Sequence, residues 1–283
     1  MDRTAIFVLI AAMAVGCSSR PRVVVGSKNF TEQVLLGEIV AQHIERRLGF
    51  VVDRKLNLGG TLLAHEALKG GSIDLYPEYT GTALTAVLKQ PAIKDAQAAL
   101  ERVREGYRPW ALEWLPPLGF NNSFAMVVRA DFGVRTLSAA AARPLPWTLG
   151  VGYEFTQRPD GLTGLVQTYA LRLAGSPVAM DLGLLYPALE SKRIDMAAAN
   201  ATDGMLARAG FAVLDDDKHY FPPYECAVVV RQASLERHPQ LRAALAEISG
   251  RISDSAMRRM NGAVDVDHRP ATEVAREFVN QWK

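Results

Sequence analysis

The stretch RVVVGSKNFTEQVLLGEIVAQHIERRL (Arg22 to Leu48) decides how the rest of the chain is read. Its first five residues are a β-branched run closed by Gly26, the composition of a short buried strand. Beyond Glu32 the apolar period changes: Val34, Leu35, Ile39, Val40, Ile44 and Leu48 recur at helical spacing and share one face. Asn29 with Glu32 three residues on has the spacing of an N-cap box and predicts the helix start there. Strand, turn and helix in that order form the unit of an α/β layer fold.

The unit repeats outward from this stretch. Phe50 to Leu58 reads as a strand, Gly59-Gly60 as a turn, and Thr61 to Lys69 as a helix stopped by Gly70-Gly71. Ile73 to Tyr76 is a further strand, and Pro77 to Thr82 opens the next helix. A second series has the same layout: Thr148 to Gly152 a strand, Tyr153 to Gly161 a polar loop, Leu162 to Ala174 a helix, Ile194 to Ala199 a strand. FAMVVR (Phe124 to Arg129) and CAVVVR (Cys226 to Arg231) bracket this series and read as two strands crossing between lobes. The expectation is an α/β chain of two lobes, each a mainly parallel sheet flanked by helices. The first lobe is discontinuous, residues 22–122 and 225–283, and the second is 123–224. Leu235 to Trp282, amphipathic and charged, supplies helices that close the first lobe.

Composition removes several function classes. Lys+Arg number 32 against Asp+Glu 30 in 283 residues, so no cationic excess exists to neutralise a nucleic-acid backbone. A 49% hydrophobic content is that of a folded chain, and two cysteines make no disulfide framework. The apolar run Ala5 to Val15 is too short to span a bilayer and fits a signal segment over residues 1–16. Its ending, Ala14-Val15-Gly16-Cys17-Ser18-Ser19, resembles a bacterial lipobox, which implies lipidation at Cys17 and a membrane-anchored, exported protein. Cys226 lies in a β-branched run and reads as inert core; the rival reading, a nucleophile activated by His219, lacks a catalytic context. The five histidines have no metal-ligand spacing, and no GxxxxGK[ST] or GxGxxG is present, so neither metal nor cofactor is expected. Ser27-Lys28 suggests a nucleophilic pair only superficially, because adjacent side chains at a strand end diverge. The reading is of a binding protein and not of an enzyme.

Six stretches carry a resemblance: VVVGSKNFTEQ (Val23 to Gln33), LGGT (Leu58 to Thr61), DLYPEYTGTA (Asp74 to Ala83), RPDGL (Arg158 to Leu162), ATDG (Ala201 to Gly204) and LDDDKHYFPPYE (Leu214 to Glu225). In this order they resemble the substrate-binding proteins of ABC importers for osmoprotectants, the glycine betaine, choline and carnitine family. The resemblance implies a type II periplasmic-binding-protein fold that closes on a small ligand. It also implies a monomer at the periplasmic or extracytoplasmic face, served by permease and ATPase subunits on separate chains.

Ligands of α/β sheets collect at the carboxyl ends of strands, which is where Ser27 to Asn29, Tyr79 to Thr82 and Glu154 to Arg158 fall. A quaternary ammonium donates no hydrogen bond and is held by aromatic faces, whereas a ligand carboxylate suits a bidentate arginine. By the resemblance, Tyr79 and Tyr224 are cage tyrosines, Arg158 is the carboxylate clamp, and Lys28 and Thr82 are polar partners. Phe124 and Asn200 stand where further cage tyrosines are expected, Asn122 where some members carry Asp, and Tyr153 is placed to replace one wall. The residues alone also admit plainer readings: Tyr79 and Tyr224 as anchoring aromatics, Phe124 as core, Lys28 as a surface charge, Arg158 paired with Asp160. The expected ligand is a glycine betaine-like zwitterion. A larger betaine using the space beside Asn200, an amino-acid derivative, or a sensing role in place of transport are the alternatives.

Overall fold

The computed structural model describes residues 20–208 and 210–282, so the signal segment and the expected lipidation at Cys17 lie outside the described residues. Among the described residues the strands are, in chain order, β1 (Arg22–Gly26), β2 (Val51–Lys55), β3 (Leu75–Tyr79), β4 (Leu112–Asn121), β5 (Phe124–Arg129), β6 (Leu149–Val151), β7 (Val178–Ala179), β8 (Met196–Asn200), β9 (Phe211–Leu214) and β10 (Glu225–Arg231). They form two five-stranded sheets, ordered β2-β1-β3-β10-β4 and β7-β6-β8-β5-β9.

Both sheets follow one plan. A parallel trio, β2-β1-β3 or β7-β6-β8, is extended by a strand antiparallel to both of its neighbours, β10 or β5. The sheets are therefore mixed, and the expectation of mainly parallel sheets is corrected. The reason is connectivity: β5 and β10 each begin where the chain has just arrived from the other lobe, so they run away from the cleft that the trio runs towards. The expected crossing strands are corrected too. FAMVVR and CAVVVR each belong wholly to one sheet, and the chain passes between lobes in Asn122-Ser123 and in residues 215–224.

Helices cover both faces of each sheet. On one face of the first sheet the helix Thr31–Leu48 buries Leu35, Leu36, Ile39, Val40 and Ile44 together with Leu241, Met257 and Val274 of the C-terminal helices and Ile248 of the turn between two of them. The opposite face packs Ala64, Leu68, Leu100, Val103 and Tyr107. The second sheet is likewise buried on two sides, by Leu165 and Tyr169 on one and Leu185, Tyr186 and Leu189 on the other. The helix Thr31–Leu48 stops at Gly49, whose φ of 67° lets its N–H return to the Glu45 carbonyl at 2.9 Å. Its start differs from the expected Asn29–Glu32 box: Phe30 is the N-cap, no side chain caps it, and Glu32 turns inward.

Candidate functional site

The nine residues Lys28, Tyr79, Thr82, Asn122, Phe124, Tyr153, Arg158, Asn200 and Tyr224 all line one cleft of about 660 Å³ between the sheets. Topology brings them there. Lys28 follows β1, Tyr79 ends β3 and Asn200 ends β8, while Tyr153 and Arg158 lie in the loop after β6. Asn122 and Tyr224 sit in the two links between lobes, and Phe124 opens β5. β3 runs further than expected, through Pro77 to Tyr79, because β10 pairs with it from Val230↔Leu75 to Cys226↔Tyr79. The helical turn therefore opens at Thr80 and not at Pro77.

Aromatic rings form one wall. Phe124 meets Phe155 edge-on at 4.9 Å and Tyr224 at 5.6 Å between centroids. Gly81 lets the Tyr224 ring lie against the chain, since a β-carbon there would come to 2.9 Å from two ring carbons. Tyr79 stacks on Phe30 at 6.4 Å. Tyr153 is 59% exposed at the cleft rim, and Phe155, two residues on, takes the buried position. Phe30, Phe155 and Tyr186 are cleft residues that the sequence reading did not single out; the first two sit inside segments it had marked. Asn200 stands opposite Phe124 in the β5–β8 ladder and adds no ring.

Both cations of the cleft are already matched. Lys28 Nζ lies 2.6 Å from Glu78 Oε1, with both side chains buried, and 4.7 Å from the centre of the Tyr79 ring. The surface reading of Lys28 is thereby overturned. Arg158 gives its Nε and Nη2 edge to Asp160 at 2.9 and 2.7 Å, and Nη2 also reaches Thr85 Oγ1 and the Tyr224 hydroxyl. Among the described residues Nη1 touches Thr82 Oγ1 alone, at 3.4 Å. The fork needed for a bidentate ligand clamp thus faces Asp160, and the corner left for a ligand is Nη1 with Thr82.

Glu32 ties the lobes together behind the rings. Its carboxylate accepts from the Tyr79 hydroxyl (2.7 Å), Asn122 Nδ2 (2.8 Å), Asn261 Nδ2 (2.9 Å) and the Thr202 hydroxyl of the second lobe. Burial pushes this carboxyl above its ordinary range, against the pull of those donors. Across the cleft, Glu154 Oε1 accepts the Thr61 N–H at the start of helix Thr61–Lys69, at 3.3 Å. Cys226 is fully buried and its thiol is driven far up by burial, which makes it a poor nucleophile. Ser27 Oγ bonds the Lys28 carbonyl while Lys28 Nζ turns to Glu78, so the pair diverges.

Residues 21–281 match the family model OpuAC, the substrate binding domain of ABC-type glycine betaine transport system. The chain is 33% identical to the glycine-betaine-binding protein of Pseudomonas aeruginosa, over 95% of this chain and 90% of that one. It is 30% identical to the carnitine transport binding protein OpuCC of Listeria monocytogenes, over 94% and 88%. A solved structure described as a glycine betaine/carnitine/choline ABC transporter superposes with a TM-score of 0.78 at 29% identity, covering 92% of this chain and 98% of that one. The two mixed sheets with flanking helices are those of type II periplasmic binding proteins. The chain belongs to the family of substrate-binding proteins of ABC-type glycine betaine transport systems.

Proposed function

We propose that the cleft captures a small quaternary-ammonium osmoprotectant of the glycine betaine type and delivers it to a separate ABC permease. One observation carries the reading: the cleft joins the Tyr79, Phe124, Phe155 and Tyr224 rings to a lining whose two cations, Lys28 and Arg158, are each neutralised by a buried carboxylate. A methylated cation needs electron-rich faces and no hydrogen-bond acceptor, and each face contributes on the order of 0.5–2 kcal/mol. The head lies among these rings, and a ligand carboxylate takes the Arg158 Nη1 and Thr82 corner. The lobes close about Asn122-Ser123 and residues 215–224, and the protein acts as a monomer without a cofactor. In the cell it sits at the periplasmic or extracytoplasmic face, anchored by lipid at Cys17; mass spectrometry of the membrane fraction tests that, and an intact Met1 contradicts it.

The test of ligand capture is calorimetric titration with glycine betaine, choline and carnitine. Tyr224→Ala is expected to weaken the best of them by on the order of 1–2 kcal/mol, and Tyr224→Phe, which keeps the ring, by less. Equal binding by the wild type and Tyr224→Ala would remove the ring from the site.

A further inference from the structure

Away from the two chain links, the lobes also meet where the turn Gly204–Ala207 after β8 seats against the helix Asp254–Asp265. Thr202 of the second lobe donates its hydroxyl to Glu32 and gives its carbonyl to Asn261 Nδ2 at 2.8 Å. Three carboxylates gather at this seam. Glu32, 3% exposed, comes from the helix Thr31–Leu48, Asp265 stands at the outer edge of the seam, and Asp203, half-buried, is the one the second lobe supplies.

Acceptors outnumber donors here. Asp203 Oδ1 accepts the Met205 N–H at 2.9 Å, and the carboxylate also takes the Tyr186 hydroxyl. Asp265 Oδ1 accepts the Thr31 hydroxyl. Asn261 Oδ1, buried, has no partner among the described residues, and the amide is held in this orientation because Nδ2 donates to Glu32 Oε2 and the Thr202 carbonyl. The surrounding cations answer other groups: Lys28, Arg158 and Arg208 pair with Glu78, Asp160 and Glu190, and Arg258 Nε bonds the Ala201 carbonyl. β9, beside the same turn, brings no titratable side chain. Asp203 therefore faces the like charges of Asp265 and Glu32 and the Tyr186 hydroxyl, with no ion pair among the described residues.

We propose that this seam is a proton-sensitive latch: protonation of Asp203 lets the two lobes rest together, and its ionisation loosens them. The latch rests on the capture of a ligand by lobe closure and adds to it a control by the pH outside the cytoplasm. Parting the lobes returns Asp203 to water and towards its ordinary value of 3.8, whereas at the seam burial, joined by the Asp265 charge, lifts it to about 6. Burial moves Glu32 and Asp265 in the same direction. A group that holds its proton more tightly when the lobes meet makes closure take up a proton. Closure is therefore favoured increasingly as pH falls through about 6, and the gain levels off near 3.8. The added proton also turns Asp203 from an acceptor into a donor, which the seam lacks.

The test is calorimetric titration of the exported form of the chain with glycine betaine, which does not titrate between pH 5 and 7.5. The wild type is expected to bind about tenfold tighter at pH 5 than at pH 7.5. Asp203→Asn, which can still cap the Met205 N–H, carries no charge to lose; it is expected to bind at pH 7.5 about as tightly as the wild type does at pH 5, and to change less than twofold between them. Asp265→Asn removes one facing charge and is expected to move the wild-type midpoint to lower pH. Thermal unfolding at both ends of the range checks that the variants are folded. A flat wild-type profile, or a profile that survives in Asp203→Asn, overturns the latch. Failure of glycine betaine, choline and carnitine to bind at any pH is a different result and removes the quaternary-ammonium reading. The latch is then judged by small-angle scattering of the protein alone: compaction of the wild type on acidification, absent in Asp203→Asn, upholds it, and identical profiles at both pH values overturn it.

Discussion

Gly204 of the second lobe lies against Gly262 of the first so closely that a β-carbon at Gly204 would stand 2.2 Å from the Gly262 nitrogen and 2.4 Å from its α-carbon. Both are backbone atoms, so no rotamer change relieves the overlap. Gly204 opens the turn Gly204–Ala207 after β8, and Gly262 lies within the helix Asp254–Asp265. Beside them Arg258 Nε donates to the Ala201 carbonyl at 2.8 Å, and Asn261 holds the Thr202 carbonyl. The contact therefore joins the two lobes directly, and the proposed closure would have to use it.

Gly204→Ala is expected to hold the lobes apart. Overpacking of this kind costs about 1–3 kcal/mol, which falls on the closed form and lowers ligand affinity by about tenfold. Small-angle scattering should show the wild type compacting on ligand addition and the variant failing to do so. Unchanged affinity and unchanged compaction in the variant would mean that closure does not use this contact.

Arg158→Ala is expected to destabilise the fold as well as the site. It strips the counter-ion from Asp160, whose side chain is 2% exposed, and breaking a buried pair from one side costs about 3–5 kcal/mol. Urea denaturation should show the double variant Arg158→Ala/Asp160→Ala recovering part of that loss. In the double variant, carboxylate-bearing ligands should weaken more than choline does, because choline has no group for Nη1 and Thr82 to hold. Equal losses for both ligand types would place the carboxylate elsewhere.

How far the sequence carried this picture depends on how local each feature is. Tyr79 and Tyr224 were legible because strand ends and motif order position them. Glu32 was not: its spacing from Asn29 looks like a local cap, whereas its partners are 47, 90, 170 and 229 residues away in the chain. Strand direction escaped for a related reason, since FAMVVR has the composition of any buried strand and runs antiparallel only because of where the chain enters the lobe. In the loop after β6, turn geometry decides that Phe155 points inward and Tyr153 outward, and composition does not distinguish the two.

His65 gives a pH signature. It is buried edge-on against Tyr107 and Trp110, neither ring nitrogen has a partner among the described residues, and burial, aided by Lys69, pushes its pKa down to about 4. A folded-state value below the unfolded one, near 6.5, means that its contribution is fully present above about 6.5 and is lost as pH falls through about 4. His65→Phe is therefore expected to gain stability relative to the wild type on acidification from neutral pH towards 4. Thermal unfolding at the two ends of that range checks it, and a constant difference between the proteins would contradict it.

Recognition of positive charge by the aromatic wall is tested most directly by titrating one protein with two molecules of the same shape, glycine betaine and tert-butylacetic acid. The second keeps the carboxylate and the three methyl groups and replaces the charged nitrogen by carbon. If Tyr79, Phe124 and Tyr224 hold a cation, glycine betaine binds about tenfold tighter or more, the worth of one or two cation–π contacts. Equal affinity for the two molecules would show that the cleft reads shape and carboxylate alone, and would contradict a quaternary-ammonium site.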